Sequence, residues 1–320
     1  MSVLSKAYMH DEAAAFAHVE SIIWPDGPVC PHCGVVDRAY RLGGVFTKPS
    51  AKNPKGKERH GLWKCRECRK QFTVRKGTIF EESHIEMHKW LQAIHLMVSS
   101  KKGISSHQLH RVLEITHKSA WFMSHRIREA MRSDSTVDFG AGGGVVEVDE
   151  TFIGNDRTIK PKHTKKGRGY AHKHKMLTLV ERNTGRAKSM VVDDLKTATL
   201  LPILQENIAK EAVVYTDEAG QYVKLGNSFA AHDFVRHGQG EYGRGDVHTN
   251  TIEGYFSIFK RGMKGVYQHC AKKHLHRYAA EFEFRYNNRV ANGVDDLERS
   301  SVALSGVIGK RVLYRDSLGA

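Results

Sequence analysis

Four cysteines in two pairs constrain this chain more than any other feature. Cys30-Pro-His-Cys33 and Cys65-Arg-Glu-Cys68 are separated by 31 residues. Two such knuckles supply four thiolates, a set that fits a tetrahedral structural Zn²⁺ with Zn–S distances of about 2.3 Å. Gly34 after the first knuckle, and the polar Arg66 and Glu67 inside the second, suit tight turns. Two redox Cys-x-x-Cys motifs, or buried free thiols, are the competing readings. Four protein ligands close such a site to substrate, so it belongs to folding and partner contact rather than to catalysis. Cys270 has no sequence partner and is expected to be a buried or idle thiol.

Charge narrows the partner. Fifty Lys and Arg stand against 35 Asp and Glu in 320 residues, a formal net charge of +15. A balance this basic points to a polyanion, with nucleic acid the leading class and a ribosomal or membrane surface the alternative. No apolar run reaches the roughly 18 residues of a membrane span. The first twenty residues lack the apolar core of an export signal and carry acids early. A cytoplasmic protein is expected, and in that compartment cysteine pairs favour metal over disulfide.

The periodicity divides the chain into four stretches. Residues 1–78 hold a short helix around residues 8–24 and then the two knuckles. Residues 79–137 are helical in pattern: an apolar stripe over Ile85–Val98, a break at Lys101-Lys-Gly103, then two helices flanking a turn near Glu114–His117. A helix, short turn and helix of this length match a helix-turn-helix. Residues 138–144, Asp-Phe-Gly-Ala-Gly-Gly-Gly, read as a linker. From 145 to 320 the period becomes strand-like and then mixed, which predicts an α/β domain with C-terminal helices. Strands are expected over Val145–Asp149, Met176–Glu181, Ala187–Val192 and Ala212–Thr216, with a helix starting near Asn250 and another over Lys273–Arg289.

Three acids in that last domain carry the chemistry. Asp149 closes the first expected strand and Asp217 the fourth, and carboxylates at the ends of neighbouring strands point into one crevice. Glu253 follows 35 residues after Asp217, with Lys260 two helical turns further on and on the same face. Phosphodiester chemistry needs an activated oxygen nucleophile and a stabilised leaving oxygen. Two hard cations about 3.5–4 Å apart, held by oxygen ligands, provide both. In this reading Asp149 bridges two Mg²⁺ or Mn²⁺ ions, Asp217 and Glu253 hold one each, and Lys260 grips a phosphate. Glu150, beside Asp149, is expected to face the other side of the strand.

The order of these features resembles a family. Two cysteine knuckles, a helix-turn-helix, then Val-Glu-Val-Asp149-Glu-Thr, Val-Tyr-Thr-Asp217 and His-Thr-Asn250-Thr-Ile-Glu253-Gly with Lys260 look like a bacterial insertion-sequence transposase. More narrowly, they are similar to the DDE group with an N-terminal zinc ribbon, over nearly the whole chain. The resemblance implies a ribonuclease H-like fold around the acids, Mg²⁺ or Mn²⁺, and transfer of DNA strands between the element's terminal repeats and a target. It also implies a homo-oligomer, at least a dimer, because two ends must be joined. In this group the third metal position has been read as Asn. Asn250 and Glu253 lie three residues apart on one helix face, so both remain open; a carboxylate neutralises Mg²⁺ better than an amide does.

Candidate DNA contacts follow from position and charge. In the second helix of the helix-turn-helix they are Lys118, Ser119, His125 and Arg126, although that helix could equally be a packing element. In the basic stretch after Asp149 they are Lys162, Lys165, Lys166 and Arg168, and beyond Glu253 they are Lys260, Arg261 and Lys264. Two other function classes stand beside a transposase: a DNA-binding regulator derived from one, and a ribonuclease H-like nuclease without strand transfer.

Overall fold

The structure is a computed structural model, described for residues 2–51, 53–133, 138–155, 172–223 and 225–313. Lys162, Lys165, Lys166 and Arg168 lie outside the described residues. The chain forms two compact units, one of residues 1–100, 104–131 and 295–320, the other of residues 101–103 and 132–294.

In the first unit, Asp11 accepts the Ala14 N–H at 2.7 Å and starts helix α1 (Glu12–Ile23), a helix cap of the usual carboxylate kind. Three short antiparallel strands follow, β1 (Ala39–Leu42), β2 (Leu62–Cys65) and β3 (Gln71–Phe72). Trp24, Trp63 and Phe72 pack edge to face beneath the cysteines. Helix α2 (Met87–Ser99) buries Met87, Trp90, Leu91, Ile94 and Val98. Helix α3 (Ser106–Leu113) begins with a capping box between Ser105 and Gln108. Glu114 ends it in the left-handed region at φ 51°, and α4 (His117–Met131) starts after a three-residue turn.

The second unit is built on a five-stranded sheet. In chain order its elements are β4 (Val145–Ile153), β5 (His174–Glu181), β6 (Ala187–Val192), α5 (Thr197–Asn207), β7 (Val213–Asp217), β8 (Ala231–Val235), α6 (Asn250–Gly262) and α7 (Lys272–Asn287). The strand order is β6-β5-β4-β7-β8. β4, β5 and β6 are antiparallel, whereas β7 pairs parallel to β4 and β8 parallel to β7. That arrangement, an antiparallel meander extended by two parallel strands beside the first, is the ribonuclease H-like sheet. Side chains alternate across it. Val146, Val148, Leu177, Leu179 and Val214 pack with α5 through Leu200 and Leu204. Ile153, Met176 and Val180 belong to the other face, with Ile252, Tyr255 and Phe259 of α6 and Leu275, Tyr278 and Phe282 of α7.

Two boundaries differ from the sequence expectation. The Gly-rich stretch 138–144 is folded rather than a free linker. Phe139 is buried in the α5-side core, and Gly140, at φ +75°, donates its N–H to the Glu181 carboxylate at 2.7 Å. A Cβ at Gly140 would lie 2.5 Å from that of Ala212, so the tight passage of the backbone requires glycine. The C-terminal helix, α8 (Asp296–Ser305), belongs to the first unit and not to the ribonuclease H-like domain. Its Arg299 donates to the Val98 carbonyl of α2 at 3.3 Å, and its Ser300 meets His95 at 3.4 Å.

Candidate metal centres and nucleic-acid contacts

The four cysteines converge. Their Sγ atoms all lie within 4.8 Å of one another, with Cys30–Cys68 and Cys33–Cys65 both at 3.7 Å. Sulfurs at the corners of a ZnS₄ tetrahedron stand about 3.8 Å apart when Zn–S is about 2.3 Å, so these thiols fit the ion. Turns place them: the Gly34 N–H returns to the Cys30 carbonyl at 2.8 Å, and the Cys65 N–H pairs with the Lys70 carbonyl at 3.1 Å. Cys270 stands apart, partly buried against the α6–α7 core.

The acids are arranged differently. β4 and β7 run parallel, with Glu147 opposite Tyr215, and two residues beyond each stand Asp149 and Asp217. Asp217 ends its strand as expected. Asp149 does not: β4 continues to Ile153, paired on that stretch only with β5. It stands mid-strand, just past the last residue of β4 paired with β7. The polar run Asp149-Glu-Thr151 hid this continuation, because strand hydrogen bonding, not apolar content, carries it.

Asp149 accepts the Glu150 N–H at 2.7 Å. Burial, then the negative charges of Glu150 and Asp217, push its carboxyl up to about 8, against the pull of that N–H and of Lys260. Burial and the charge of Asp217 also raise Glu150, although its hydrogen bonds from Tyr222 and Gln221 oppose the rise. Glu150 thus faces away from Asp149, as strand alternation requires, onto the hydroxyl of a buried tyrosine. Asp217 accepts the Ala219 N–H at 2.9 Å.

Lys260 feels the charges of both Asp149 and Glu253. Its Nζ lies over the Phe256 ring at 5.5 Å. Burial lowers its pKa, and the charges of Asp149 and Glu253 both act to raise it. Glu253 is turned back along its own helix: it accepts from the Thr249 hydroxyl at 3.3 Å and has His237 Nε2 at 3.7 Å. Among the described residues the cysteines are the only group of three or more His, Cys, Asp or Glu within 4.8 Å of one another. Asp149, Asp217 and Glu253 therefore do not close to that distance. Asn250 opens α6, with its backbone N–H on His248 Nδ1 at 3.3 Å. Arg261 is held by its own helix, on the carbonyl and hydroxyl of Ser257, and Lys264 is exposed in the single π turn that follows α6.

Of the expected contacts on α4, two are corrected. His125 is fully buried and Arg126 is 5% exposed. Arg126 donates to the carbonyls of Ile79 and Glu81, each at 2.7 Å, and of Val312 at 3.3 Å. Its charge serves the interior of the first unit and is withdrawn from any DNA surface. Lys118 is exposed and Ser119 half-buried at the start of α4, where Thr116 accepts the Ser119 N–H at 3.2 Å.

One residue that matters escaped the sequence reading. Glu147, two positions before Asp149 and on the same strand face, is fully buried. It accepts Arg182 Nε at 2.6 Å and the Ile252 N–H of α6 at 2.9 Å. The available signal was a carboxylate inside the apolar run Val-Glu-Val, since a charge buried in a strand must be paired.

Comparisons with known proteins fall on both units. Residues 10–71 match a transposase zinc-ribbon domain, and residues 142–287 match the ISXO2-like transposase domain. These two domains in this order define an insertion-sequence transposase. An uncharacterized protein in transposable element ISH50 of Halobacterium salinarum is 26% identical over 294 residues, covering 88% of this chain and 92% of that protein. An uncharacterized transposase-like protein of Haemophilus influenzae is 30% identical over 100 residues, 31% of this chain and 80% of the other. A chain of the simian T-cell lymphotropic virus intasome, solved with PP2A regulatory subunit B56 gamma, covers 55% of this chain and 63% of its own length. With 12% identity and a TM-score of 0.27 that likeness is too slight to carry the fold. The chain belongs to the insertion-sequence transposase family with an N-terminal zinc ribbon. Among the described residues no helix is long and apolar enough to cross a membrane.

Proposed function

We propose that the second unit cleaves DNA strands at the ends of an insertion sequence and transfers them to a target, with divalent cations held by Asp149, Asp217 and a residue of α6. The observation that carries this reading is the parallel register of β4 and β7, which sets Asp149 and Asp217 each two residues past the paired Glu147 and Tyr215. Burial together with two neighbouring carboxylates drives the Asp149 carboxyl up to about 8. A divalent cation is the partner such a cluster lacks, and hard oxygen donors suit Mg²⁺ or Mn²⁺. When bound, the cations supply Lewis-acid activation of an attacking oxygen and stabilise a leaving one. Lys260, beside Asp149 and Glu253, orients a phosphate. Glu253 serves as the third ligand after its side chain swings from Thr249, and Asn250 is its rival at the head of the same helix.

In the first unit the cysteine cluster holds Zn²⁺ and folds the ribbon. Lys118 and Ser119 at the start of α4 contact duplex DNA, and so do Lys162, Lys165, Lys166, Arg168, Lys260, Arg261 and Lys264. Joining two ends calls for at least two copies of the chain. The experiment is Mg²⁺- or Mn²⁺-dependent cleavage of DNA carrying the inverted repeats that flank the reading frame, by wild type and by Asp217→Asn. Loss of cleavage in the variant supports the reading. Sequence-specific binding with no cleavage by wild type would make the chain a DNA-binding regulator, and cleavage without joining of ends would make it a nuclease.

A further inference from the structure

The acids sit on three separate elements, and one guanidinium touches two of them and the segment that enters the third. Arg182 follows β5 directly. Its Nε donates to Glu147 of β4 at 2.6 Å. Its terminal nitrogens donate to the carbonyls of Asp246 and His248 at 2.7 Å each, and to His248 Nδ1 at 2.8 Å. Its carbon lies 4.9 Å from the ring centroid of Tyr215 on β7. Glu147 and Tyr215 are cross-strand partners, each two residues before an aspartate. The other oxygen of Glu147 accepts the Ile252 N–H in the first turn of α6. His248 Nδ1 in turn receives the Asn250 N–H.

We infer that Glu147 and Arg182 form a positioning clamp that sets the first turn of α6, with Asn250 and Glu253, against Asp149 and Asp217. Glu147 lies two residues before Asp149 on the same face of β4, and its two carboxylate oxygens are turned to Arg182 and to the Ile252 N–H. The carboxylate of Glu147 meets a helix N-terminus, where unpaired N–H groups favour a negative charge. The fork of Arg182 spans β4, β7 and the segment entering α6 at once, which a lysine ammonium cannot match. The metal part of this inference rests on the reading in the preceding subsection; the tethering of α6 does not.

The test uses the zinc-loaded full-length chain and the conservative variants Arg182→Lys and Glu147→Gln. Hydrogen exchange is read peptide by peptide, and Mn²⁺ binding by the loss of the free-ion spin-resonance signal. At least tenfold faster exchange over residues 248–256 is expected, with peptides of β4–β6 unchanged, and Mn²⁺ affinity weakened about five- to twentyfold. Unchanged exchange over 248–256, or a rise across the whole unit, overturns the clamp. Local loosening with wild-type Mn²⁺ affinity reduces it to a structural contact and overturns the positioning role. Wild type that shows no Mn²⁺ binding dependent on Asp149 defeats the metal-site reading instead, whatever the exchange pattern.

Discussion

The cysteine cluster and the acid cluster are both sets of metal-type ligands, and the protein builds them in opposite ways. The cysteines come from two tight turns, and their sulfurs already stand at tetrahedral spacing. The acids come from β4, β7 and α6, and they neither close to metal-binding distance nor share one face of one element. The charge of Asp217 raises the Asp149 carboxyl, and the proposed cations would supply the counter-charge that brings such acids closer. A closed local cluster serves the fold. An open one assembled from distant elements leaves room for chemistry.

The largest expected effect tests the closed side. Cys65→Ser removes a fully buried ligand. Elemental analysis should fall from one Zn²⁺ per chain to near none, and the ribbon should lose its exchange protection while peptides of the five-stranded sheet keep theirs. Full zinc retention would remove the cysteines from the comparison.

A smaller effect is expected from Glu147→Ala. The substitution leaves the Arg182 guanidinium, with 17% of its side chain exposed, and the Ile252 N–H without their carboxylate. Breaking a buried pair from one side costs about 3–5 kcal/mol, measurable as a lower denaturation midpoint of the second unit. A loss below about 1 kcal/mol would show that the pairing beside the acids is slack.

The third effect depends on pH. In the metal-free protein the Asp149 carboxyl is raised to about 8, above the roughly 3.9 of an unfolded aspartate. Between those values the folded state holds a proton that the unfolded state has released. That contribution to stability is fully present below about 3.9, and it is lost as pH rises through 8. Asp149→Asn stays neutral throughout. Wild type should therefore fall relative to the variant from pH 5 to 8.5, by on the order of a few kcal/mol, and added Mg²⁺ should narrow the gap. Parallel stability curves would mean that neither burial nor its neighbours raise the Asp149 carboxyl.

The two sites differed as much in legibility as in construction. Knuckle spacing revealed the ribbon directly, because its ligands are local. The sheet was also readable: β6 and β7 stand where apolar runs and turn residues put them, and α6 begins at Asn250. What could not be read depends on contacts distant in sequence. Arg126 and His125 look like surface residues of a recognition helix until the loops at Ile79, Glu81 and Val312 close over that helix. Glu147 looks like a break in an apolar strand until Arg182 and Ile252, far along the chain, arrive to pair it. The return of α8 to α2 rests on the same kind of long-range packing.

Asp149 and Asp217 are proposed to form one metal-dependent centre for cutting DNA. The direct measurement is single-turnover cleavage of a duplex carrying the element's terminal repeat, at fixed Mg²⁺, by wild type and by Asp149→Asn and Asp217→Asn. Wild type is expected to cleave only when Mg²⁺ is supplied, and each variant to lose about a thousandfold or more in rate with duplex binding retained. Cleavage at the wild-type rate in either variant would contradict that proposal.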